Sequence, residues 1–356
     1  MNPGNRSRGL FAAVASGAVS LCLLALADGA SAQVATPPYT VSVFVKAANG
    51  TSQPDSIAQW RNSVLIGFQN GVAKDGTDGK SSTIVQYSLT GQVERSFQVT
   101  GHNDGLRLIG PDALWAVQNE DANPNLVIID LRTGRQRSFT FPPTPHGGGY
   151  DDFVVVDDQV FISASNPNLD ANGVNDFAAL LRITLPGGKI HLDPVLQGNA
   201  QAIDVASGKT VTLNLTDPDS LARDGRGNIV LDSQADSELV FIGHPLTPEQ
   251  TVTRLNITTG GVPTTVDDTA FAPRRPAFLL MSDQPANTVF RIDRMNGFEP
   301  GTAYSASDTS GLVGTLSLDT GVLTPVVKGF VSPHGMIFVV PRDRDDRDDE
   351  SRDDAR

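Results

Sequence analysis

The stretch DPDSLARDGRGNIVLD, residues 217–232, is the clearest copy of a unit that recurs along this chain. The unit opens with an acid, a small residue and an apolar residue, Asp219-Ser220-Leu221, crosses the polar turn DGRGN and enters the apolar run IVLD. Two apolar segments on either side of a Gly-containing turn predict a β-hairpin. The unit therefore predicts two antiparallel strands, the first of which begins at an acid.

Five further segments begin in a similar way. Four start with an acid and one has His in the acid's place; their first residues are Asp55, Asp104, Asp151, Asp267 and His334. Three of the five spacings between successive starts lie between 47 and 49 residues, and the two longer ones leave room for insertions. A period in the forties with several short strands per unit is typical of the blades of a β-propeller.

The composition agrees with an all-β domain. The 356 residues include 34 Gly and 23 Pro, 39% are hydrophobic, and no long stretch has a helical pattern. We predict one β-propeller over residues 33–340 with six blades, or seven. Residues 277–293 contain two strand-like runs that are expected in the fifth blade, and three more runs up to residue 327 fit either an insertion in that blade or most of another blade. The alternating run YTVSVFVKA, residues 39–47, is expected to join residues 336–340 in the last blade and close the ring.

Both ends of the sequence differ from this repeat. Residues 1–32 combine Arg6 and Arg8, a largely apolar run and the small residues Ala30-Ser31-Ala32, which predicts a cleaved signal peptide and a secreted or periplasmic protein without a membrane span. The single cysteine, Cys22, lies inside that segment, so the mature protein is expected to lack thiol chemistry and disulfides. Residues 341–356 are a mixed-charge tract without a large apolar side chain, which predicts a disordered tail.

The net charge narrows the class of partner. A formal charge of −13 argues against nucleic acid, because phosphate binding requires clustered Lys and Arg. Metal ions and small-molecule ligands fit the charge better. The sequence contains no GxSxG elbow, P-loop or dinucleotide fingerprint, so these chemistries are not expected.

Equivalent repeat positions predict a shared site. Six polar groups are expected around one end of the central channel: Asp55, Asp104, Asp151, Asp219, Asp267 and His334. Carboxylates gathered at close range repel one another unless a cation or a proton neutralises them. Oxygen ligands favour Ca²⁺ or Mg²⁺. The alternative is that each Asp caps a turn by accepting backbone N–H bonds.

Three short phrases resemble a known family. They are Asn103-Asp104-Gly105, Pro218-Asp219-Ser220-Leu221 with the DGRGNIVLD that follows, and Asp55-Ser56 followed by Trp60. They are similar to the metal-site segments of the gluconolactonase-like family, also called the regucalcin or senescence-marker family, and the repeat is also similar to propellers of the NHL type. The gluconolactonase resemblance implies a six-bladed propeller that holds one divalent ion, Ca²⁺ first, and opens sugar lactones.

The same resemblance implies roles for single residues. Asp55, Asp151 and Asp219 match the metal ligands, although the family has Glu where Asp55 stands and Asn where Asp151 stands. Asn103 matches a substrate-contacting residue, and Asp104 or Asp219 would take a proton from water as the catalytic base.

Histidines offer a second set of candidates. His102, His146 and His334 flank repeat starts and are predicted to contact substrate at the channel mouth. Converging histidines can act as an acid/base group, as in the streptogramin-lyase propellers with Mg²⁺, or bind a transition metal; alternatively each bonds carbonyls between blades. A channel role predicts activity that changes near pH 6.5.

Two kinds of function follow from these candidates. The first is a divalent-metal-dependent lactonase or related ester hydrolase with its site in the central channel. The alternatives are a propeller that binds a ligand or protein without catalysis, and a lyase that depends on His and Mg²⁺.

Overall fold

Six sheets surround a central axis in the computed structural model, which describes residues 32–48 and 50–342. Each sheet is one blade, and the strand nearest the axis, here called the inner strand, lies beside the inner strands of the two neighbouring blades. The fold is therefore a six-bladed β-propeller, as the repeat predicts, and the seven-bladed alternative is wrong. Two 3₁₀ turns, Pro186–Gly188 and Gln234–Asp236, are the helical elements of the described residues.

The first three blades follow the chain without interruption, each from its inner to its outer strand. Blade 1 consists of Pro54–Trp60, Ser63–Phe68, Ser81–Ser88 and Val93–Thr100. Blade 2 consists of Asn103–Ile109, Ala113–Gln118, Asn125–Asp130 and Gln136–Thr140. Blade 3 consists of Phe153–Val156, Gln159–Ser163, Ala178–Thr184 and His191–Gln197.

Blade 4 carries an extra hairpin on its outer edge. Its four main strands are Pro218–Arg223, Ile229–Ser233, Glu238–Gly243 and Thr251–Asn256. The hairpin consists of Gln201–Asp204 and Thr210–Thr212, and its first strand pairs in parallel with the outermost main strand. A separate short ribbon, Thr258–Thr259 with Val262–Pro263, follows blade 4 along the chain.

The strands of the last two blades alternate along the chain. Blade 5 consists of Asp268–Phe271, Ala303–Ser307, Leu312–Leu316 and Leu323–Lys328, with Val34–Ala35 on its edge. Blade 6 consists of Pro333–Val339, Phe278–Asp283, Thr288–Arg294 and Tyr39–Lys46. The expectation that residues 277–293 belong to the fifth blade is therefore wrong, because this hairpin leaves blade 5 after its inner strand and pairs with the C-terminal strand instead.

The N-terminal strand closes the ring, as predicted. Tyr39–Lys46 is the outermost strand of blade 6, where it pairs with Thr288–Arg294. It does not pair directly with Pro333–Val339, since two strands lie between them. Closure by segments from both ends of the described chain leaves the ring without a gap between its first and last blades.

The core lies between blades. Apolar side chains of neighbouring blades pack together, as Leu65 and Ile84 of blade 1 do with Leu114 and Ile129 of blade 2. Ser63–Phe68 is buried along its whole length, because its two faces contact two different blades. Close approach also governs the inner ring, where a Cβ on Gly105 would lie 2.3 Å from the carbonyl oxygen of Asp151 in the next blade.

Two predictions concern the ends of the chain. The signal peptide of residues 1–32 and the tail of residues 341–356 lie outside the described residues, apart from Ala32, Pro341 and Arg342. Within the described part of the chain, no helix has the length and apolar character needed to cross a membrane.

Candidate functional site at one end of the channel

The six repeat-start residues line one cavity on the propeller axis. They are Asp55, Asp104, Asp151, Asp219, Asp267 and His334, one from each blade. Each lies within two residues of the start of an inner strand, so the rotational arrangement of the blades brings them to the same end of the channel. The cavity has a volume of about 90 Å³.

His334 joins the two sides of the ring closure. Its Nδ1 lies 2.8 Å from Asp267 Oδ1 and 3.6 Å from Asp55 Oδ1. Burial alone would lower the pKa of His334, but these carboxylates outweigh it and raise the pKa to about 10. His334 is therefore an imidazolium at neutral pH, which suits a hydrogen-bond donor better than a base.

Glutamines form a second layer that the sequence interpretation missed. Gln69 donates to Asp55 Oδ2 (3.1 Å) and Asp104 Oδ1 (3.3 Å), Gln234 donates to Asp267 Oδ1 (3.2 Å), and Gln284 donates to Gln69 Oε1 (2.7 Å). All three directly follow the second strand of a blade. The sequence signal that could have revealed them is the Gln that directly follows the second strand in these three blades.

Lys74 and Glu120 also reach the cavity, and neither was predicted. Lys74 lies in a loop of blade 1 and Glu120 follows the second strand of blade 2; Lys74 Nζ is 2.5 Å from Glu120 Oε1. Burial opposes the charge on Lys74, but the Glu120 carboxylate raises the pKa of Lys74 above its usual range. Lys74 is therefore a permanent cation at the edge of the cavity.

Negative groups outnumber positive ones in the cavity. Eight acidic side chains line it: Asp55, Asp104, Glu120, Asp151, Asp152, Asp219, Asp267 and Asp268. Lys74 and His334 are the basic side chains of the lining among the described residues. Even with Arg107, which pairs with Asp152 from outside the lining, three cations do not balance eight carboxylates, so protons or bound cations must neutralise part of the charge.

The carboxyl pKa values reflect this crowding. Burial, followed by repulsion from neighbouring carboxylates, raises the pKa of Asp104, Asp151 and Asp219 well above the usual range. Burial also raises the pKa of Asp55, to about 6, even though His334 opposes the shift. The carboxyl groups of Asp151 and Asp219 share a hydrogen bond, which requires a proton on one of them.

His102 lies directly behind the lining. Its side chain is 5% exposed, Nδ1 is 2.7 Å from the carbonyl oxygen of Val72, and Nε2 is 3.3 Å from Asp104 Oδ1 and 4.0 Å from Glu120 Oε1. His102, Asp104 and Glu120 are the one trio of His, Cys, Asp or Glu in the described chain whose ligand atoms all lie within 4.8 Å of one another. This trio can hold a metal ion.

The predicted metal ligands have a different arrangement. Asp55, Asp151 and Asp219 all face the cavity, but they do not form such a trio among the described residues. Asp151 and Asp219 are neighbours, whereas Asp55 interacts with His334 and Gln69 on the other side of the ring.

Besides His102, two more of the predicted substrate contacts do not line the cavity. The Asn103 side chain is buried and donates to the carbonyl oxygen of Val117, 3.1 Å away. His146 is also buried; its Nε2 is 2.7 Å from the carbonyl oxygen of Gly149, and its ring packs on Tyr150. Both side chains bond the backbone nearby, which is the structural alternative considered for the histidines.

Comparisons with known proteins concern the fold. No family model matches this sequence, and no curated protein matches it. Selenomethionine-substituted virginiamycin B lyase from Staphylococcus aureus is 11% identical, with 83% of this chain and 88% of that chain covered and a TM-score of 0.48. A streptogramin B lyase structure is 11% identical over 84% of this chain and 91% of that chain, with a TM-score of 0.49.

The family resemblance seen in the sequence has a counterpart among solved structures. A protein described as a putative gluconolactonase is 11% identical over 83% of this chain and 82% of that chain, with a TM-score of 0.49. At such identities the likeness shows the shared fold alone.

Proposed function

We propose that the protein is a divalent-cation-dependent hydrolase that opens a small lactone or related ester in the axial cavity. The observation that carries this proposal is the charge imbalance: eight carboxylates face one cavity of about 90 Å³ with two basic side chains among them. Carboxylates that only cap turns would be expected on backbone donors, one by one, and not on a shared cavity.

The cavity supplies the oxygen ligands that a divalent cation needs, although the carboxylate oxygens of Asp55, Asp151 and Asp219 do not all lie within 4.8 Å of one another in this structure. Asp55, Asp151 and Asp219 are the ligands that the family resemblance implies, and Ca²⁺ is then the first candidate because it prefers oxygen ligands. A bound cation would polarise the substrate carbonyl and lower the pKa of water. It would also relieve the repulsion that keeps the pKa of these buried carboxyl groups high.

The side chains of the cavity supply the remaining steps. Asp219 and Asp104 are the proposed bases, since burial and neighbouring carboxylates raise their pKa values and so make them stronger proton acceptors than an exposed Asp. The His334 imidazolium and the Lys74 ammonium can donate hydrogen bonds to the carbonyl oxygen of a substrate and to the carboxylate of the product. Asp267 positions His334 through its 2.8 Å contact.

The size of the cavity limits the substrate. Its volume of about 90 Å³ corresponds to roughly three water molecules. Drug-sized ligands occupy pockets of roughly 300–1,000 Å³. The reacting group of the substrate therefore enters the cavity while the rest of the molecule stays at the mouth.

A lyase of the His-dependent type is the second candidate function. It is favoured by the Asp267–His334 pair, which resembles the orienter and acid of an acid/base group. A His334 pKa of about 10 suits proton donation but leaves little neutral imidazole to abstract a proton near pH 7. The hydrolase therefore agrees better with the site.

Hydrolysis of a panel of small lactones and esters tests the proposal. Activity is expected after addition of Ca²⁺, Mn²⁺ or Zn²⁺ and not in excess EDTA, and Asp219→Asn should lower kcat by about 10²–10⁴-fold through loss of the base. Asp158→Asn, at an exposed position of blade 3, is the matched control and should behave as the wild type. Turnover that does not depend on a cation would contradict the role of the ion, and no turnover across the panel with any of the ions would leave a propeller that binds without catalysis.

A further inference from the structure

The axial cavity contains a more specific binding arrangement beside blade 2. We infer that His102, Asp104 and Glu120 bind a first-row transition-metal ion, with Zn²⁺ as the best candidate, at a position displaced from the axis. Its use in catalysis depends on the hydrolase proposed above, but its binding of metal does not. None of the three residues belongs to the ligand set that the family resemblance implies, Asp55, Asp151 and Asp219.

The spacing of the three side chains fits one small ion. His102 Nε2 is 3.3 Å from Asp104 Oδ1 and 4.0 Å from Glu120 Oε1. Zinc bonds to imidazole nitrogen and carboxylate oxygen measure about 2.0–2.2 Å, so two ligand atoms of one ion lie at most about 4.4 Å apart. Both measured separations fall inside that limit.

The tautomer of His102 leaves a lone pair that points into the cluster. Nδ1 faces the carbonyl oxygen of Val72 at 2.7 Å, and because a carbonyl only accepts, Nδ1 must carry a hydrogen. In the neutral ring Nε2 is then a lone-pair acceptor. Imidazoles that bind metal usually donate their other N–H to a backbone carbonyl or carboxylate in this way.

The same nitrogen has no hydrogen-bond partner. His102 is 4% exposed, and its Nε2 is buried without a hydrogen bond although Asp104 Oδ1 lies 3.3 Å away. Asp104 Oδ2 is also buried and unpartnered. Buried polar atoms nearly always have a hydrogen-bond partner. These two neighbouring acceptors have none, and a bound cation would supply the missing partner to both.

Nitrogen in the ligand set selects the class of ion. Imidazole favours Zn²⁺ and its transition-metal neighbours, whereas Ca²⁺ and Mg²⁺ are bound through oxygen. One His and two carboxylates also leave a fourth position of a tetrahedral ion for water or substrate, as catalytic zinc sites do.

Lys74 is the competing cation at this position. Its ammonium lies 2.5 Å from Glu120 Oε1, but its side chain is 58% exposed. Lys74 can therefore turn toward solvent when an ion enters and still hold its charge at the rim. Gln69 donates to Asp104 Oδ1 as well, at 3.3 Å, while Asp104 Oδ2 has no partner and stays available to the ion.

Metal titration of the chelator-treated protein tests the inference without reference to activity. Zn²⁺ is expected to bind in a 1:1 ratio by calorimetry and to raise the Tm, and Co²⁺ should give the visible absorption of an ion with a nitrogen ligand. His102→Gln and Glu120→Gln should each weaken Zn²⁺ by about 100-fold, since the loss of groups that only orient ligands already costs 10–100-fold.

His334→Gln is the matched control, because it removes the other imidazole of the same site and should leave Zn²⁺ affinity within about threefold. Glu120→Gln protects the test against misfolding of His102→Gln, since the Glu120 side chain is 16% exposed at the rim. Absence of Zn²⁺ uptake, or equal affinity in wild type, His102→Gln and Glu120→Gln, would overturn the inference.

Calcium separates this inference from the proposed function. If Zn²⁺ is not taken up but Ca²⁺ binds and supports hydrolysis, with Asp151→Asn and Asp219→Asn losing that activity and His102→Gln keeping it, the zinc site is wrong and the hydrolase stands. If Zn²⁺ binds as expected but no lactone or ester is hydrolysed, the site stands and the hydrolase is wrong.

Discussion

The same inner strands line both ends of the central channel, but their carboxylates have different hydrogen-bond partners along its length. At the end opposite the acidic cavity, a second cavity of about 300 Å³ is lined by apolar side chains such as Leu106, Leu221 and Phe338. Asp152 and Asp268 lie between the two cavities and contribute to both. They follow Asp151 and Asp267 directly in the sequence, so neighbouring residues of one type have different surroundings.

Protein donors satisfy the carboxylates between the cavities. Asp152 Oδ2 accepts from Arg107 Nη2 (2.8 Å) and from the backbone N–H of Leu221 (3.1 Å), and Asp268 Oδ2 accepts from the N–H of Met336 (2.7 Å). At the acidic end, Asp151 and Asp219 share a hydrogen bond with each other. An Asp of an inner strand is therefore structural where an Arg or a backbone N–H donates to it. It is available to bind a ligand where its neighbour is another carboxyl group.

Removal of Arg107 should have the largest effect. Arg107→Ala leaves Asp152 without its cation and removes donors to the carbonyls of Phe153 and Leu221, so we expect a loss of about 3 kcal/mol in the free energy of unfolding. Urea denaturation measures it. Arg226→Ala, at an exposed position, is the control and should stay within about 0.5 kcal/mol of wild type. A loss below about 1 kcal/mol for Arg107→Ala would mean that the pair does not hold the inner ring.

Adjacent substitutions should change stability in opposite directions. Asp152→Asn weakens a charge-assisted contact with Arg107 and should cost about 2 kcal/mol. Asp151→Asn removes one of several repelling carboxylates and should stabilise the cation-free protein by about 1 kcal/mol while weakening cation binding. Thermal unfolding in EDTA compares them. If both variants are destabilised equally, the distinction between the two classes of carboxylate fails.

The stability of the protein should depend on pH mainly through groups at the acidic end of the channel. The Asp55 pKa rises from 3.8 to about 6 on folding, so the stability it contributes is present below about pH 4 and is lost as pH rises to 6. The His334 pKa rises from 6.5 to about 10, so its contribution is present below pH 6.5 and is lost toward pH 10.

Difference curves of Tm against pH, wild type minus Asp55→Asn and wild type minus His334→Gln, isolate each group in EDTA. Each curve should fall with pH by ~3 °C across its own window. A curve that rises, or one that is flat between those pH values, contradicts the ion pair between His334 and its two carboxylates.

His146 should give the smallest effect. Its ring bonds the carbonyl of Gly149 in the protein interior, so His146→Gln is expected to cost about 1 kcal/mol of stability and to leave hydrolysis per folded molecule unchanged. Thermal unfolding and turnover of the same preparation provide both values. Loss of turnover at unchanged stability would mean that His146 contributes to substrate binding or catalysis.

Glu120 and Lys74 are cavity residues that could not be predicted from the sequence. Each lies in a loop, and the loops of the different blades have different lengths, so no repeat position predicts where these side chains go. Phe278–Asp283 was assigned to the wrong blade for a related reason: a strand that looks continuous with Asp268–Phe271 in the sequence pairs in space with Pro333–Val339.

The repeat in the sequence was enough to predict the ring of blades and the six residues at its acidic end. Asp55, Asp104, Asp151, Asp219, Asp267 and His334 share one position of a repeat, and rotational symmetry brings equivalent positions together whatever the loops do. Which carboxylates lack a protein donor is visible only in the folded protein, since Asp151 and Asp152 are both aspartates, but Arg107 donates to Asp152 and carboxylates surround Asp151. Electrostatic surroundings depend on contacts between blades that are distant in the chain, and a repeat pattern does not encode those contacts.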